Sequence, residues 1–441
     1  MPPTRKPTRL TLRTYQVGFG DCFLLTFHYQ SFDRHVLIDF GSTGQPKSAG
    51  ENLMLRVAED IRKECGGKLH AVVATHRHKD HISGFATAKN KKGSGDIIAA
   101  CRPDLVIQPW TEDPKAAPDT GALPETNGNS RKSFVASRQS FVAALNDMHA
   151  ISEAVLVEAE RRKSVLGKTL HRELTFLGDD NISNRSAVLN LMNMAPNKYL
   201  HYGSRSGLEK ILPGVRIKVL GPPDLKQSQT IRKQRSADEA EFWHFQSRFW
   251  HLQAAAAEQF ALGSKASVFP TAKTYSALAA PPYTRWFINR MRTMRGDQLL
   301  GIVRTLDKVM NNTSLILLFD VGGQKFLFPG DAQIENWSYA LSKPSVRRML
   351  QDVNLYKVGH HGSLNATPKS LWKLFKHRSP KRTPERLQTI VSTMPGKHGK
   401  TTNNTEVPRR PLVEALEAES DYFTTQKLKK AELKKTFQID L

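Results

Sequence analysis

The chain has 441 residues, of which 39% are hydrophobic, 8% aromatic and 24% charged. This balance excludes an intrinsically disordered chain, and no stretch is apolar over the length that a bilayer crossing needs. The formal net charge of +24 predicts a surface that attracts polyanions, so we expect nucleic acid, with DNA favoured, as a partner. An even spread of charge, or an acidic protein partner, is the alternative.

The N-terminal segment indicates the cellular location of the protein, and the cysteines indicate which side chains could bind a metal. The start, MPPTRKPTRLTLRTYQVGFGD, has no apolar stretch behind its basic residues, so we expect a cytoplasmic protein without a membrane partner. Cys22, Cys65 and Cys101 form no C-x-x-C pair, which argues against a disulfide framework and a thiolate zinc site. Any metal is therefore expected on histidine and carboxylate side chains.

The first part of the chain predicts a β-meander, a helix and a buried strand. The runs LTLRTYQV, CFLLTFHY and HVLIDFG are typical of strands, and residues 49–64 then change to helical spacing. KLHAVVATH is short and almost wholly apolar, as in a strand buried on both faces. Further on, DLVIQPW and VRIKVLGPP predict strands and residues 134–163 a helix.

Residues 226–306 differ in character from their surroundings. They favour helix and mix Arg and Lys with Trp243, Trp250 and Trp286. We interpret them as an insertion between residues 1–225 and 307–441, the two halves of one domain. The insertion is expected to be a lid, a nucleic-acid surface or a surface for a protein partner, although aromatics at helical spacing also fit plain core packing. The oligomeric state stays open.

The strand pattern returns after the insertion. SLILLFDVGGQKFLFPGDA predicts two strands joined at Gly322-Gly323, and NLYKVGHHGS, RLQTIVST and TFQIDL predict three more. Residues 369–376 and 411–418 favour helices. Interleaved strands and helices in two strand-rich halves indicate the α/β class, with helices layered outside sheets.

The segment THRHKDHISG carries the sharpest chemical signal. It places His76, His78, Asp80 and His81 within six residues directly after an apolar strand. Imidazole suits Zn, Fe or Mn, and the carboxylate adds a hard oxygen ligand. We expect two divalent ions, Zn or Mn, which can activate water and clamp the oxygens of a displacement reaction. The alternative is a histidine-rich surface loop.

Two distant segments supply the further ligands that two metal ions need. Asp331 follows the apolar run in FLFPGDA, and His360 and His361 do so in LYKVGHHGS. An aspartate after glycine is more often a turn residue, but its occurrence with the other two segments favours a ligand.

Together, the HxHxDH pattern, Asp39 in VLIDFGS, the GDA and the HHGS resemble the metallo-β-lactamase superfamily. VGFGDCFLL, VLGPP, NNTSLILLF, FPGDA and VGHHGS are similar to the branch typified by the soluble metallohydrolase domain of competence DNA-uptake proteins. The resemblance covers residues 1–85, 215–223, 311–365 and 387–441, and it does not cover the insertion. It implies a four-layer αβ/βα sandwich, whereas the mostly helical character of the insertion is predicted from residue propensity alone.

The resemblance also implies roles for individual residues. His76 and His78 would bind one metal, Asp80 and His81 the other, with Asp331 between them. His360 or His361 would complete the second site, and Asp39 would orient the first motif. The residues expected to act in catalysis are Asp80, Asp331, His361 and His398.

Two histidine assignments stay open. His398, in GKHGK, either reaches the site to contact a phosphate or a metal, or belongs to a basic loop without such a role. The isolated third histidine of the superfamily has no clear motif in this chain. The candidates for that position are His149, His171, His201, His244 and His251.

Three function classes follow. A dinuclear centre in a strongly basic protein favours a metal-dependent phosphodiesterase or nuclease acting on nucleic acid. A small-molecule ester or phosphodiester hydrolase of the same fold is the first alternative. A non-catalytic module that binds nucleic acid or a partner is the second, and it is disfavoured because every expected ligand of the first cluster is intact.

Overall fold

The computed structural model describes residues 6–46, 49–113, 185–224, 227–228, 311–397, 406–429 and 432–441. They form a mixed α/β structure with two β-sheets and several helices. Within these ranges, no helix is both long and apolar enough for a membrane crossing. The predicted helix at 134–163 lies outside the described residues, as does the predicted insertion except for residues 227–228.

The secondary structure agrees with most of the predicted runs. The strands are β1 (Arg9–Tyr15), β2 (Cys22–His28), β3 (Asp33–Phe40), β4 (Ala71–Val73), β5 (Leu105–Pro109), β6 (Asn197–Leu200), β7 (Arg216–Gly221), β8 (Ile316–Val321), β9 (Gln324–Phe328), β10 (Leu355–Lys357), β11 (Gln388–Val391), β12 (Asp421–Thr424) and β13 (Lys434–Asp440). The helices are α1 (Leu53–Glu64), α2 (Lys79–Ile82), α3 (Ser94–Ala100), α4 (Arg185–Asn193), α5 (Leu208–Ile211), α6 (Ile334–Leu341), α7 (Pro344–Gln351), α8 (Lys369–Trp372) and α9 (Arg410–Glu419).

The first sheet has seven strands in the order β13-β1-β2-β3-β4-β5-β6. Strands β1, β2 and β3 pair antiparallel in sequence, which confirms the predicted meander. Strands β3 to β6 are parallel, and Ile38 pairs with Val73 in the register of β3 and β4. The carboxyl ends of these two strands therefore meet at one edge of the sheet. β4 is buried throughout, as predicted, but it is only three residues long.

The second sheet has six strands in the order β12-β11-β10-β9-β8-β7. β8 and β9 form the predicted hairpin, and Gly322 and Gly323 have the positive φ angles, 60° and 87°, that a tight hairpin turn favours. Strands β9 to β12 are parallel. The carboxyl ends of β9 and β10, which lead to Asp331 and to the HHGS segment, thus also lie at one edge.

Some elements differ from the sequence prediction. β6 and β12 were not predicted because they are edge strands of four residues with half-buried side chains and no apolar run. The predicted helix at 369–376 is shorter: α8 ends at Trp372, and turns carry Phe375 into the core. α9 matches the prediction at 411–418 to within one residue at each end.

Three apolar clusters hold these elements together. One is shared by the two sheets and includes the edge-to-face pair Phe23 and Phe328, with ring centroids 5.9 Å apart. A second packs the seven-stranded sheet against α1, α3 and α4, and a third packs the six-stranded sheet against α6, α7, α8 and α9. Each fully buried large apolar side chain contributes about 1.5–3 kcal/mol. The apolar clusters hold in place the strand ends that carry the polar residues described next.

Candidate metal centre

The ends of β3 and β4 position the HRHKDH loop. Asp39 lies at the end of β3 in a left-handed conformation with φ 56°, and Thr75 and His76 follow β4. Asp39 Oδ1 accepts a hydrogen bond from Thr75 N at 2.7 Å, and Asp39 Oδ2 accepts one from Thr75 Oγ1 at 2.7 Å. Gly41 lets the chain pass close to the loop, since a Cβ atom there would lie 2.4 Å from His81 N.

The loop gathers three buried imidazoles around one carboxylate. The ring centroid of His76 is 4.6 Å from that of His78 and 4.1 Å from that of His81. His76, His78 and Asp80 form one group whose ligand atoms all lie within 4.8 Å of one another. All three are at most 5% exposed, so these polar groups sit in the protein interior, where they require partners.

Two residues from the second half of the chain enter the same cluster. Asp80, His81, Asp331 and His361 form a second group of convergent ligand atoms. His81 Nε2 lies 3.1 Å from Asp331 Oδ2, and His361 Nε2 lies 2.7 Å from Asp80 Oδ2 although these residues are 281 positions apart. The fold thus brings the distant segments together. Asp80 is the carboxylate common to both groups, whereas Asp331 belongs to the second group.

Several nitrogen and oxygen atoms of the cluster that could bind a metal ion make no hydrogen bond. Buried polar atoms are nearly always hydrogen-bonded, so such atoms point to something that satisfies them. Their arrangement of imidazole nitrogens beside carboxylate oxygens fits divalent zinc or manganese. The buried cluster atoms without a hydrogen bond are His76 Nε2, His81 Nε2, Asp80 Oδ1 and Asp331 Oδ2.

Outer contacts fix the orientation of two imidazoles. His81 Nδ1 lies 2.8 Å from Asp39 Oδ2, and His361 Nδ1 lies 2.8 Å from the carbonyl oxygen of Ser392. Each of these oxygens can accept a hydrogen bond from Nδ1, and this contact directs Nε2 of the same ring into the cluster. Asp39, which is predicted to orient the first motif, therefore contacts His81 directly.

The ionisation of these side chains follows from burial and from their mutual contacts. Burial lowers the pKa of His78 to about 4 and holds the pKa of His76 well below its usual range. Burial acts in the same sense on His81, but the carboxylates of Asp331 and Asp80 outweigh it and raise the His81 pKa. Burial would raise the pKa of Asp331, yet His81 and Lys357 hold that pKa well below its ordinary value. The carboxylates are thus kept in the charged form that binds cations.

The two histidines of HHGS have different positions. His361 is fully buried in the cluster, whereas His360 is half-buried and belongs to neither group of convergent ligand atoms. The backbone N–H of His360 donates to Asp331 Oδ1 at 3.0 Å. Both residues have left-handed φ angles, 46° and 52°, a conformation that carries local strain in non-glycine residues.

Of the remaining candidates, only His201 lies among the described residues, and it is not part of the cluster. His201 is described, and its Nδ1 contacts the carbonyl oxygen of Tyr202 at 3.0 Å. It is absent from the groups of convergent ligand atoms found in the described ranges. The candidates that lie outside the described residues are His149, His171, His244, His251 and His398, together with the tryptophans of the predicted insertion.

Two buried charged residues of the site were not singled out from the sequence. Asp21, fully buried ahead of β2, and Lys357, 2% exposed at the end of β10, form an ion pair beside the cluster. Both stand in motifs already noted, VGFGDCFLL and LYKVGHHGS. The signal that could have found them is a charged residue inside or next to an apolar run, since such a residue is rarely buried without a partner.

Comparison with protein-family models and with curated proteins finds no match to this chain. The class of protein is therefore described by its fold and its cluster of buried side chains. They define an α/β protein with two sheets and a buried group of histidines and aspartates that could bind metal.

Proposed function

We propose that this protein is a metal-dependent phosphodiesterase or nuclease that hydrolyses nucleic acid at a dinuclear centre. We further propose that its two sheets and outer helices are the four-layer sandwich of the metallo-β-lactamase superfamily. The observation that carries the proposal is the convergence of two adjacent donor groups, contributed by segments hundreds of positions apart, with unsatisfied nitrogen and oxygen atoms.

The roles of the residues follow from their contacts. His76 and His78 would hold one ion, and His81, His361 and Asp331 the other, with Asp80 common to both groups. Two divalent ions supply an activated water and stabilise charge on the nonbridging phosphate oxygens.

We assign the proton of the leaving group to His360. Its Nδ1 lies 3.5 Å from the amide nitrogen of Gln333, and the ring centroids of His360 and His361 are 6.1 Å apart. We propose that His360, as the imidazolium, gives a proton to the leaving oxygen and becomes a neutral imidazole.

The net charge supports a polyanionic substrate. A formal charge of +24 raises the local concentration of nucleic acid and steers its association. Such binding depends on salt, so activity on a polynucleotide should fall as salt is added, more than activity on a small phosphodiester.

The test is a hydrolysis assay on chelated protein reloaded with Zn²⁺, Mn²⁺ or Mg²⁺. Substrates are plasmid, linear and single-stranded DNA, RNA, a chromogenic phosphodiester and a simple ester. We expect cleavage of nucleic acid that is lost in Asp331→Ala and retained in Asp352→Ala, a control in a partly buried ion pair with Lys325. Turnover of the ester without cleavage of nucleic acid in any metal form would overturn the nuclease proposal.

A further inference from the structure

Lys357 is a buried cation beside the candidate metal centre. Its ammonium group forms an ion pair with Asp21, lies 3.5 Å from Asp331 Oδ1, and donates a hydrogen bond to the carbonyl oxygen of Gly330 at 3.2 Å. Among the described residues it is the one buried lysine. A buried charge is costly unless it is paired, and the carboxylates of Asp21 and Asp331 provide the pairing for Lys357.

The two oxygens of Asp331 have different surroundings. Oδ1 is engaged by the Lys357 ammonium at 3.5 Å and by the backbone N–H of His360 at 3.0 Å. Oδ2 has no hydrogen bond and lies 3.1 Å from His81 Nε2 and 3.8 Å from His361 Nε2. One oxygen is thus anchored and the other is presented to the histidines.

Asp21 connects this anchor to the other half of the site. Its backbone N–H donates to the carbonyl oxygen of Asp80 at 2.9 Å, and its own carbonyl oxygen accepts from Gly41 N at 3.0 Å. The ion pair with Lys357 therefore joins the HRHKDH loop and the end of β3 to the strand that leads to HHGS.

We propose that Lys357 is a positioning residue of the metal centre. By pairing with Asp21 and contacting Asp331 Oδ1, it fixes the Asp331 carboxylate so that Oδ2 faces the metal ions. This inference rests on the proposed dinuclear centre and identifies a determinant of its metal affinity.

The same ion pair accounts for a third group of donor atoms. Asp21, Asp39 and His81 also have ligand atoms within 4.8 Å of one another. The Lys357 ammonium already neutralises the Asp21 carboxylate of that group, so a third metal ion is not needed there. Two ions per chain is the expected stoichiometry.

The test measures metal affinity by competition with a chromogenic chelator, using Zn²⁺ and Mn²⁺ on the full chain. Lys357→Met leaves Asp21 buried and unpaired and is expected to lower the unfolding temperature. The double variant Lys357→Met with Asp21→Asn removes both charges and preserves approximate side-chain size. We expect the double variant to fold and to bind metal about 10- to 100-fold more weakly than wild type.

A matched control makes the same chemical change away from the site. Lys325 in β9 pairs with Asp352 at 3.0 Å. Lys325→Met with Asp352→Asn should keep wild-type metal affinity. Lys357→Arg, which retains the charge, should restore part of the affinity lost in Lys357→Met, an effect that a merely structural role would not produce.

The outcomes separate this inference from the proposed function. Wild-type metal affinity in a folded double variant would overturn the role of Lys357 and leave the function standing. Weakened affinity in a protein that cleaves no phosphodiester would support the role and overturn the function. Absence of metal binding by wild type would overturn both.

Discussion

Two groups of buried histidines lie at opposite ends of strands β3 and β4. At one end, His35 and His70 are 7% and 6% exposed, and their rings are 5.7 Å apart. At the other end, the strands lead to Asp39 and His76 and so to the candidate metal centre. The same residue type is thus buried twice on the same two strands.

The two groups differ in how their nitrogen atoms are satisfied. His35 Nδ1 lies 3.1 Å from Thr26 Oγ1, and His70 Nδ1 accepts from the backbone N–H of His35 at 3.0 Å. Neither ring has a nitrogen among the buried atoms without a hydrogen bond, whereas His76 and His81 each have one, and that of His81 lies 3.1 Å from Asp331 Oδ2. Burial, which lowers the pKa of His35, His70 and His78 to about 4, does not separate the groups. The two groups are separated instead by the imidazole nitrogens that make no hydrogen bond and lie beside carboxylates.

The largest expected effect tests this distinction directly. Asp80→Asn removes a negative charge from the carboxylate common to both donor groups, whereas His35→Gln changes the satisfied pair. We expect Asp80→Asn to lower metal content from two ions to one or none and to reduce hydrolysis by more than about 100-fold. His35→Gln should retain both ions. Elemental analysis of the two folded variants measures the metal content. Equal metal content in both would contradict the predicted difference between the two histidine groups.

A smaller effect on metal affinity is expected for Asp39, which contacts the candidate ligand His81. The Asp39 carboxylate contacts His81 Nδ1 and accepts a hydrogen bond from Thr75 Oγ1. Asp39→Asn should lower metal affinity or activity by about 10- to 100-fold, because an amide holds the Nδ1–H of His81 less firmly. Chelator competition measures this change. Full affinity in Asp39→Asn would show that His81 is oriented without Asp39.

One side of this comparison, the HRHKDH cluster, was predicted from sequence because its candidate ligand residues are close together in the chain. His76, His78, Asp80 and His81 stand within six residues after an apolar strand, and the strands around them have clear periodicity. The meander, the Gly322-Gly323 hairpin and α9 were predicted for similar local reasons.

The remaining features depend on tertiary contacts. Asp21 and Lys357 form an ion pair although they are far apart in the sequence. Ser392 contributes only its backbone carbonyl oxygen, and the type of its side chain does not predict this contact. The edge strand β6 has no apolar run to mark it. Which histidine of HHGS enters the cluster also depends on the tertiary structure, and both adopt left-handed φ angles that no residue pattern encodes for non-glycine residues.

Acid should affect the satisfied pair in a predictable direction. The pKa values of His35 and His70 fall from 6.5 in the unfolded chain to about 4 in the fold, chiefly because of burial. The unfolded chain therefore binds more protons between these pH values, and stability falls as pH drops from 6.5 towards 4. Glutamine does not titrate, so His35→Gln with His70→Gln should lose less stability over this window. Parallel slopes of urea midpoint against pH for the two proteins would refute this.

The smallest effect separates the two histidines of HHGS by backbone strain. His360 adopts φ 46°, a conformation that costs a non-glycine residue roughly 1–2 kcal/mol and that glycine adopts freely. His360→Gly should raise the free energy of unfolding by up to about 1 kcal/mol, since the added freedom of the unfolded chain offsets part of the gain. Metal content should not change, because His360 is outside the donor groups, while hydrolysis should fall through loss of the proton donor. The same substitution at His361 should remove a metal ligand, so a loss of metal in His360→Gly and its retention in His361→Gly would reverse the assignment.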